Sequence, residues 1–389
     1  GSEVARRMGL DRRCWAEVDL TALSHNAKVL KAAAGPGRLL MSCVKGNGYG
    51  HGMIPAAKAA LAGGADRISV AQVEEGVALR EAGIKAPIQV LIEPLPHYAP
   101  AIAQYDLIPS LSSPEIAREL AARLKEGGLG RVKVHVEVDT GMGRVTLTPG
   151  QAPGFLDLLD SLGTFEVEGL FSHFSSSHIP NDQRFREVTL GQMALFEETV
   201  EACQRGGRRI PLKHLASSGG VALYPESYLD LIRPGALNYG YRFNWTRLEI
   251  RPALTWKALV WAVRPARAGV PVGYDQAWAP EKDTVLAVIS AGYADGYFRF
   301  LSNRAHVVIR GRRARVVGLV GMDQIMADVG SIPGVDRGDE AVLIGRSQGA
   351  EVTAVELAGH LKTTPVLLTT NIAARVERIY LEGPEPILD

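Results

Sequence analysis

The chain predicts a (β/α)8 barrel over residues 1–249, followed by a C-terminal mainly β domain over residues 250–389. Two observations carry this expectation. From residue 38 onward, short β-rich runs alternate with longer amphipathic segments at helical spacing. Near residue 250 the long helical segments vanish and alternating strand-like runs take over.

Eight runs qualify as barrel strands: LLMSCV (39–44), RISVA (67–71), IQVLI (88–92), LIPSL (107–111), VKVHVEV (132–138), FEVEGLF (165–171), LKHLA (212–216) and YLDLI (228–232). Most intervals between them hold an Ala-, Leu- and Glu-rich segment such as QVEEGVALREAG or PEIARELAARLKEGG, the crossover that parallel strands require. In the second domain, ALVWAVRPA and TVLAVIS read as strands, and HVVIRGRRARVVGLV reads as two strands with a turn between them. TAVELAGHL is a late helix and VERIYLE a final strand. The early segment WAEVDL, within residues 13–20, precedes the eight-strand count and belongs to the β domain or to the barrel base.

With 389 residues and 46% hydrophobic content, the chain is long enough to bury at least one large core. A formal net charge of +1 with interspersed acids and bases gives no basic stripe for nucleic acid and no basic amphipathic helix for a membrane surface. Cys14, Cys43 and Cys203 lie far apart with no C-x-x-C, which argues against disulfides or zinc and fits a reducing cytoplasm. No apolar run approaches the roughly 18 residues of a membrane span, and no signal peptide is expected. The opening Gly-Ser reads as a cloning remnant.

A parallel βα barrel carries its site at the C-terminal ends of its strands. There the sequence places Lys45, then GNGYGHG; Arg144 in DTGMGR; Ser172 and His173; Ser217 and Ser218; and Arg233, Pro234 and Gly235. Five strand ends with polar chemistry are hard to explain as surface decoration. The Ser218 hydroxyl, the backbone amides of Ser218, Gly235 and its neighbour, and Tyr49 offer a phosphate site. A lysine fixed at a strand end can form a Schiff base with an aldehyde once nearby cations or desolvation lower its pKa. Pyridoxal phosphate has both handles. GNGYGHG lacks the G-K-[ST] ending of a nucleotide loop, the VDTG stretch has no second copy for an aspartic protease, and the histidines show no metal-ligand spacing.

Taken in order, these motifs resemble the alanine racemase family, fold-type III pyridoxal-phosphate enzymes, over nearly the whole chain. The resemblance implies Lys45 as the Schiff-base lysine, Tyr49 and Ser218 as phosphate contacts with Gly235 and Ala236 nearby, and Arg144 on the cofactor's phenolic oxygen and the substrate carboxylate. It places His173 beside the cofactor, His214 in support, and Arg233 on the pyridine nitrogen. VGYDQAW implies Tyr274 as the second catalytic base, AGYADGYFR puts Tyr293 and Arg299 at the entrance, and GMDQIM puts Met322 and Asp323 by the substrate. In the family the tyrosine comes from the second subunit, which implies a head-to-tail homodimer with shared active sites, a small amino-acid substrate, and alanine as the default.

Three departures from the family pattern stand out. Where many members carry a carbamylated lysine seven residues before the arginine of DTGMGR, this chain has Glu137, which supplies a negative charge directly and can fix Arg144 by a charge-assisted bond, so no carbamate is expected. In TTPVLLTTNIAARV, Val366 aligns with the tyrosine of the inner gate, which would admit a larger substrate. The segment LNYGYRFNWTRLEI adds aromatics read as interface packing. The alternatives are a racemase of broader or serine-type specificity and a non-catalytic pyridoxal-phosphate-binding protein; Tyr274 and the β domain argue against the latter. A decarboxylase of the same fold would need other C-terminal residues.

Overall fold

The structure, a computed structural model, describes residues 12–382. The Gly1–Ser2 reading lies outside them. The chain forms two compact units. One holds Leu23–Gly48 and Met53–Arg251; the other holds the described residues up to Ala22, Tyr49–Gly52, and those from Pro252 onward.

Strands are numbered along the chain, beginning with β1 (Cys14–Asp19), which lies in the second unit. In the first unit, β2 (Leu39–Cys43), β3 (Arg67–Val70), β4 (Ile88–Val90), β5 (Leu107–Leu111), β6 (Val132–Glu137), β7 (Phe165–Phe171), β8 (Leu212–His214) and β9 (Leu231–Ile232) form a closed barrel. All neighbours are parallel, and β9 closes onto β2 through Leu39 opposite Leu231 and Leu40 opposite Ile232. The fold class expected from the sequence is therefore present, and each of the eight predicted runs contains a barrel strand. The last is shorter than its run: Leu229 adopts φ 49°, and Leu231 donates its amide back to the Tyr228 carbonyl, so YLD forms a turn before Leu231.

The crossovers follow simple rules. Pro114–Glu126 starts on a proline that needs no intrahelical N–H partner, and Gly127 follows its last turn. Its buried residues Ala117, Leu120, Ala121 and Leu124 recur at helical spacing, forming the stripe that packs on the barrel. Burying such a leucine contributes about 1.5–3 kcal/mol.

The second unit is a nine-stranded sheet made of β1, β10 (Leu254–Ala266), β11 (Thr284–Ile289), β12 (His306–Ile309), β13 (Arg312–Val317), β14 (Ile325–Asp328), β15 (Glu340–Ser347), β16 (Ala350–Val352) and β17 (Glu377–Leu381). β1 sits between β10, antiparallel, and β17, parallel. β12 and β13 form the hairpin expected from HVVIRGRRARVVGLV, its turn made by Arg310 and Gly311 at φ 49° and 70°. Two consecutive positive φ values are what a tight two-residue hairpin turn demands. Among the described residues, no helix is long and apolar enough to cross a membrane.

Candidate active site

Val44 donates its amide to the Ser69 carbonyl, so Lys45 begins where β2 ends. The next four residues, Gly46, Asn47, Gly48 and Tyr49, have φ of 59°, 54°, 61° and 53°: one turn of left-handed helix. That conformation costs an L-residue about 1–2 kcal/mol and a glycine almost nothing, which accounts for the alternating glycines. Asn47 is among the better-tolerated residues there. Its Oδ1 also accepts the Met53 amide at 3.0 Å, capping the helix Met53–Ala62. Glu75 ties the turn to the next strand end: its carboxylate accepts the amides of Gly46, Ala71 and Gln72 at 3.0, 2.9 and 3.0 Å.

The other side of the lysine strand is fastened by residues 234–239. Cys43 donates its amide to the Pro234 carbonyl, and the buried Tyr239 hydroxyl donates to the Cys43 carbonyl at 2.8 Å. Ser42 donates to Asn238 Oδ1, while Asn238 Nδ2 donates to the Pro234 carbonyl. The same segment forms the expected phosphate region. Ser218 Oγ accepts the amides of Gly235 and Leu237 at 3.0 and 3.2 Å, which places Ser218, Gly235 and Ala236 in one small turn. A hydroxyl that accepts two amides keeps its own O–H to donate.

Arg233 is buried and follows β9. Its guanidinium donates to the Ser172 carbonyl at 2.8 Å, to His214 Nδ1 at 3.3 Å and to His173 Nδ1 at 3.1 Å, and it lies over the Phe171 ring. An arginine can only donate, so both imidazoles accept at Nδ1 and carry their protons on Nε2. From His214 the order propagates outward. His214 Nε2–H donates to His135 Nδ1 at 2.8 Å, and His135 Nε2–H donates to Glu168 at 2.9 Å. Glu168 in turn accepts both terminal nitrogens of Arg67 at 2.8 Å. Burial holds His135, His173 and His214 below the ordinary histidine value, and neighbouring cations push His173 and His214 further down. Burial alone would raise the Glu168 carboxyl, but the hydrogen bonds from Arg67 and His135 outweigh it and hold it far below the usual range.

The charges of Arg233, Arg144 and Lys45, in that order, add to desolvation in lowering the pKa of the half-buried His173. Arg144 itself is half exposed, with its nearest approach to Glu137 at 3.8 Å. That is an ion pair beyond hydrogen-bond range, looser than the fixed bond expected from the sequence. Burial raises the Glu137 carboxyl, while Arg233 and then Arg144 oppose the rise. The DTGMG loop is shaped by Asp139, whose carboxylate accepts the amides of Gly141 and Gly143.

In the β unit, Tyr274, Tyr293, Arg299, Met322 and Asp323 form one cluster. Tyr293 and Ala294 donate their amides to the carbonyls of Gly321 and Met322 at 3.0 and 2.9 Å. Gly292 permits this approach, because a Cβ there would stand 2.3 Å from the Met322 carbonyl oxygen. Arg299 donates to the Val320 carbonyl and lies over the Tyr274 ring at 5.9 Å. Tyr274 is 65% exposed. Val366 lies in the short helix Pro365–Thr370, and the C-terminal side chain bonded to Asp323 is Arg375, at 2.7 Å.

Arg67, Glu75, His135, Glu168, Tyr239 and Arg375 were not singled out from the sequence. For three of them a signal existed. Arg67, His135 and Glu168 are polar residues inside β3, β6 and β7, where a barrel interior should be apolar.

A closed parallel barrel with a lysine, a cluster of cations and a serine-anchored amide turn on its strand ends, followed in the chain by a β unit, marks the class of two-unit barrel enzymes that use pyridoxal phosphate. The family profile "Alanine racemase, N-terminal domain" matches residues 18–243, and "Alanine racemase, C-terminal domain" matches residues 253–380. The alanine racemase of Symbiobacterium thermophilum is 42% identical over 381 residues, covering 96% of this chain and 99% of its own. The crystal structure of alanine racemase from D-cycloserine-producing Streptomyces lavendulae superposes with a TM-score of 0.89 at 33% identity, covering 96% and 98% of the two chains. That of Bartonella henselae, with covalently bound pyridoxal phosphate, gives 0.84 at 26% identity, covering 95% and 100%. The chain belongs to the alanine racemase family.

Proposed function

We propose that the chain is a pyridoxal-phosphate-dependent racemase interconverting L- and D-alanine, with Lys45 and Tyr274 as the two bases. The observation that carries the assignment of the site is the buried Arg233 guanidinium, bonded to the Nδ1 atoms of His173 and His214, on the same set of strand ends that carries Lys45 and Arg144. Three cations at the mouth of a parallel barrel fit a cofactor bearing a phosphate and a phenolic oxygen, and family membership supplies the reaction.

When bound, pyridoxal phosphate supplies the conjugated electron sink that weakens the Cα–H bond of an amino acid. The residues divide the remaining work. Ser218, with Tyr49 and amides of the Gly235–Ala236 turn, would hold the phosphate, the Ser218 hydroxyl keeping a proton to donate. Arg233, charged between two neutral imidazoles, would be the partner of the pyridine nitrogen and would disfavour its protonation, since like charges repel. Arg144, with Glu137 as its ion-pair partner, would hold the phenolic oxygen and the substrate carboxylate. His173, kept neutral, would adjoin the cofactor, and His214 holds Arg233. Lys45 Nζ takes or returns the Cα proton on one face, and the Tyr274 hydroxyl does so on the other.

Tyr274 belongs to the partner subunit's copy of the chain in this reading, so the active protein is a head-to-tail homodimer. The exposure of Tyr274 supports it. Tyr293 and Arg299 line the entrance, and Met322 and Asp323 meet the substrate. The enzyme works in the cytoplasm in this reading, consistent with three buried cysteines that form no disulfide.

The test is proton exchange at Cα in heavy water with added cofactor, with chiral analysis of the products. Alanine should exchange fastest and reach an equal mixture of enantiomers. Lys45→Ala should abolish the absorbance of the lysine–cofactor linkage, and an unchanged spectrum sinks the cofactor assignment. Tyr274→Phe should keep the spectrum and lose exchange preferentially from one enantiomer. Equal residual exchange from both would remove Tyr274 from its role.

A further inference from the structure

The β unit contains a chain of charges that the proposed reaction does not use. Asp295 is fully buried, and its carboxylate accepts Arg13 at 2.6 Å, Arg375 at 2.8 Å and the Gly292 amide at 3.0 Å. Its carbonyl accepts the Ala373 amide at 2.9 Å. Arg375, whose Nε serves Asp295, then reaches outward, its terminal Nη2 donating to Asp323 at 2.7 Å. Arg378 braces the same loop by donating to the carbonyls of Ile372, Ala373 and Val376. Arg375 is thus held from behind by a buried carboxylate and presented to an exposed one.

We propose that Arg375 is a positioning residue for the substrate: it fixes the Met322–Asp323 turn and neutralises Asp323, so that an amino-acid carboxylate can enter beside it. The inference rests on the reading of Met322 and Asp323 as substrate neighbours. Its physical basis is simple. Asp323 is half exposed and carries a negative charge, and every amino-acid substrate brings another. Without a cation on Asp323 the two repel; with Arg375 in place the pair presents no net charge to the incoming group. The same guanidinium links the Asp295 turn, which carries Tyr293, to the Asp323 turn. Both sides of the expected entrance therefore share one anchor. The distances also separate this role from simple stabilisation: Asp295 keeps Arg13 and the Gly292 amide when Arg375 is removed, whereas Asp323 loses the one cation bonded to it among the described residues.

The experiment compares Arg375→Gln, Arg375→Lys and the double variant Arg375→Gln/Asp323→Asn with the cofactor-loaded parent enzyme. Thermal melting establishes that each is folded. Arg375→Gln should raise KM for alanine about tenfold and change kcat by less than about twofold, as expected for lost electrostatic compensation at a partly exposed site. Added salt should lower that KM by screening the repulsion. Arg375→Lys should restore most of the affinity, and the double variant should have a lower KM than Arg375→Gln, because the repelling charge is gone. An unchanged KM, a loss confined to kcat, or a double variant no better than the single one overturns the proposal.

Amide hydrogen exchange supplies a readout independent of turnover. In Arg375→Gln, exchange should rise in peptides covering residues 292–296 and 320–324 and stay unchanged in the barrel. Unchanged exchange in both turns overturns the positioning role even if the parent acts on another amino acid. A parent enzyme that fails to exchange alanine, with the exchange pattern still altered, places the fault in the assigned reaction.

Discussion

Asn47 and Tyr49 hold positive φ values on either side of Gly48, whose φ is 61°. A Cβ on Gly48 would meet the Ala56 Cβ at 3.2 Å and the Met53 backbone at 3.3 Å. Gly48→Ala should therefore lose about 1–2 kcal/mol from the left-handed backbone alone, and bind cofactor more weakly because Tyr49 moves with the turn. Urea denaturation and cofactor titration check this. His135, His173 and His214 make a second claim at this scale. Their folded pKa values lie below the ordinary value near 6.5. Below that pH the unfolded chain binds protons that the folded chain refuses, so stability is full above about pH 7.5 and falls as pH drops through about 6.5. Each imidazole that stays neutral in the folded chain adds a limiting slope of about 1.4 kcal/mol per pH unit. The depressed Glu168 carboxyl adds its own loss further down, once the unfolded-state carboxyl begins to protonate near its ordinary value. Urea midpoints that stay level from pH 7.5 to about 5 would contradict neutral, buried imidazoles.

Tyr239 shows how elements share the task of holding Lys45. It belongs to the stretch LNYGYRFNWTRLEI, read from the sequence as interface packing, and its hydroxyl bonds the last residue of β2. In the same stretch Phe243 stacks on Trp245 at 4.5 Å, both partly buried against the cluster around Leu40 and Ile232, while Arg242, Asn244, Arg247 and Glu249 are exposed. Tyr239→Phe removes the hydroxyl donor to the buried Cys43 carbonyl. Stability should fall by about 0.5–1.5 kcal/mol and cofactor release should quicken, measured by denaturation and by loss of the bound-cofactor absorbance. The barrel strands were legible because each is an apolar run bounded by loops and amphipathic helices. In the β unit, β14 and β16 have only four and three residues, too short to show a period. β15 is long enough, but EAVLIGRS has four consecutive buried residues rather than alternation, so its periodicity points to no particular element. The helix Pro365–Thr370 is a single capped turn and a half, equally silent. The relay from Arg67 to Arg233 was illegible for another reason: Arg67 and Glu168 lie 101 residues apart, and only the closed barrel makes them neighbours.

Across the whole molecule, the site residues fall into two sets, one on the barrel's strand ends and one in the exposed cluster around Tyr274. Motif order made both sets readable, but no property of a single sequence states whether Lys45 is served by its own chain's Tyr274 or by another's. Mixing variants decides it. Lys45→Ala and Tyr274→Phe should each leave no complete site in a sample of that variant alone. In a head-to-tail dimer with shared sites, a hybrid of the two pairs one intact lysine with one intact tyrosine and concentrates both lesions in the other site. Equal mixing with random reassembly should thus restore about a quarter of the parent turnover, half the dimers being hybrids with one working site each. The restored activity should also depend on subunit exchange, appearing only after dilution or mild denaturant allows reassembly. If each chain built its own site, every site in the mixture would carry one lesion and turnover would remain at the level of the separate variants. A quarter recovered, with about half the cofactor absorbance per chain of the Tyr274→Phe variant, would place the two bases on different chains and make the homodimer a condition of the chemistry.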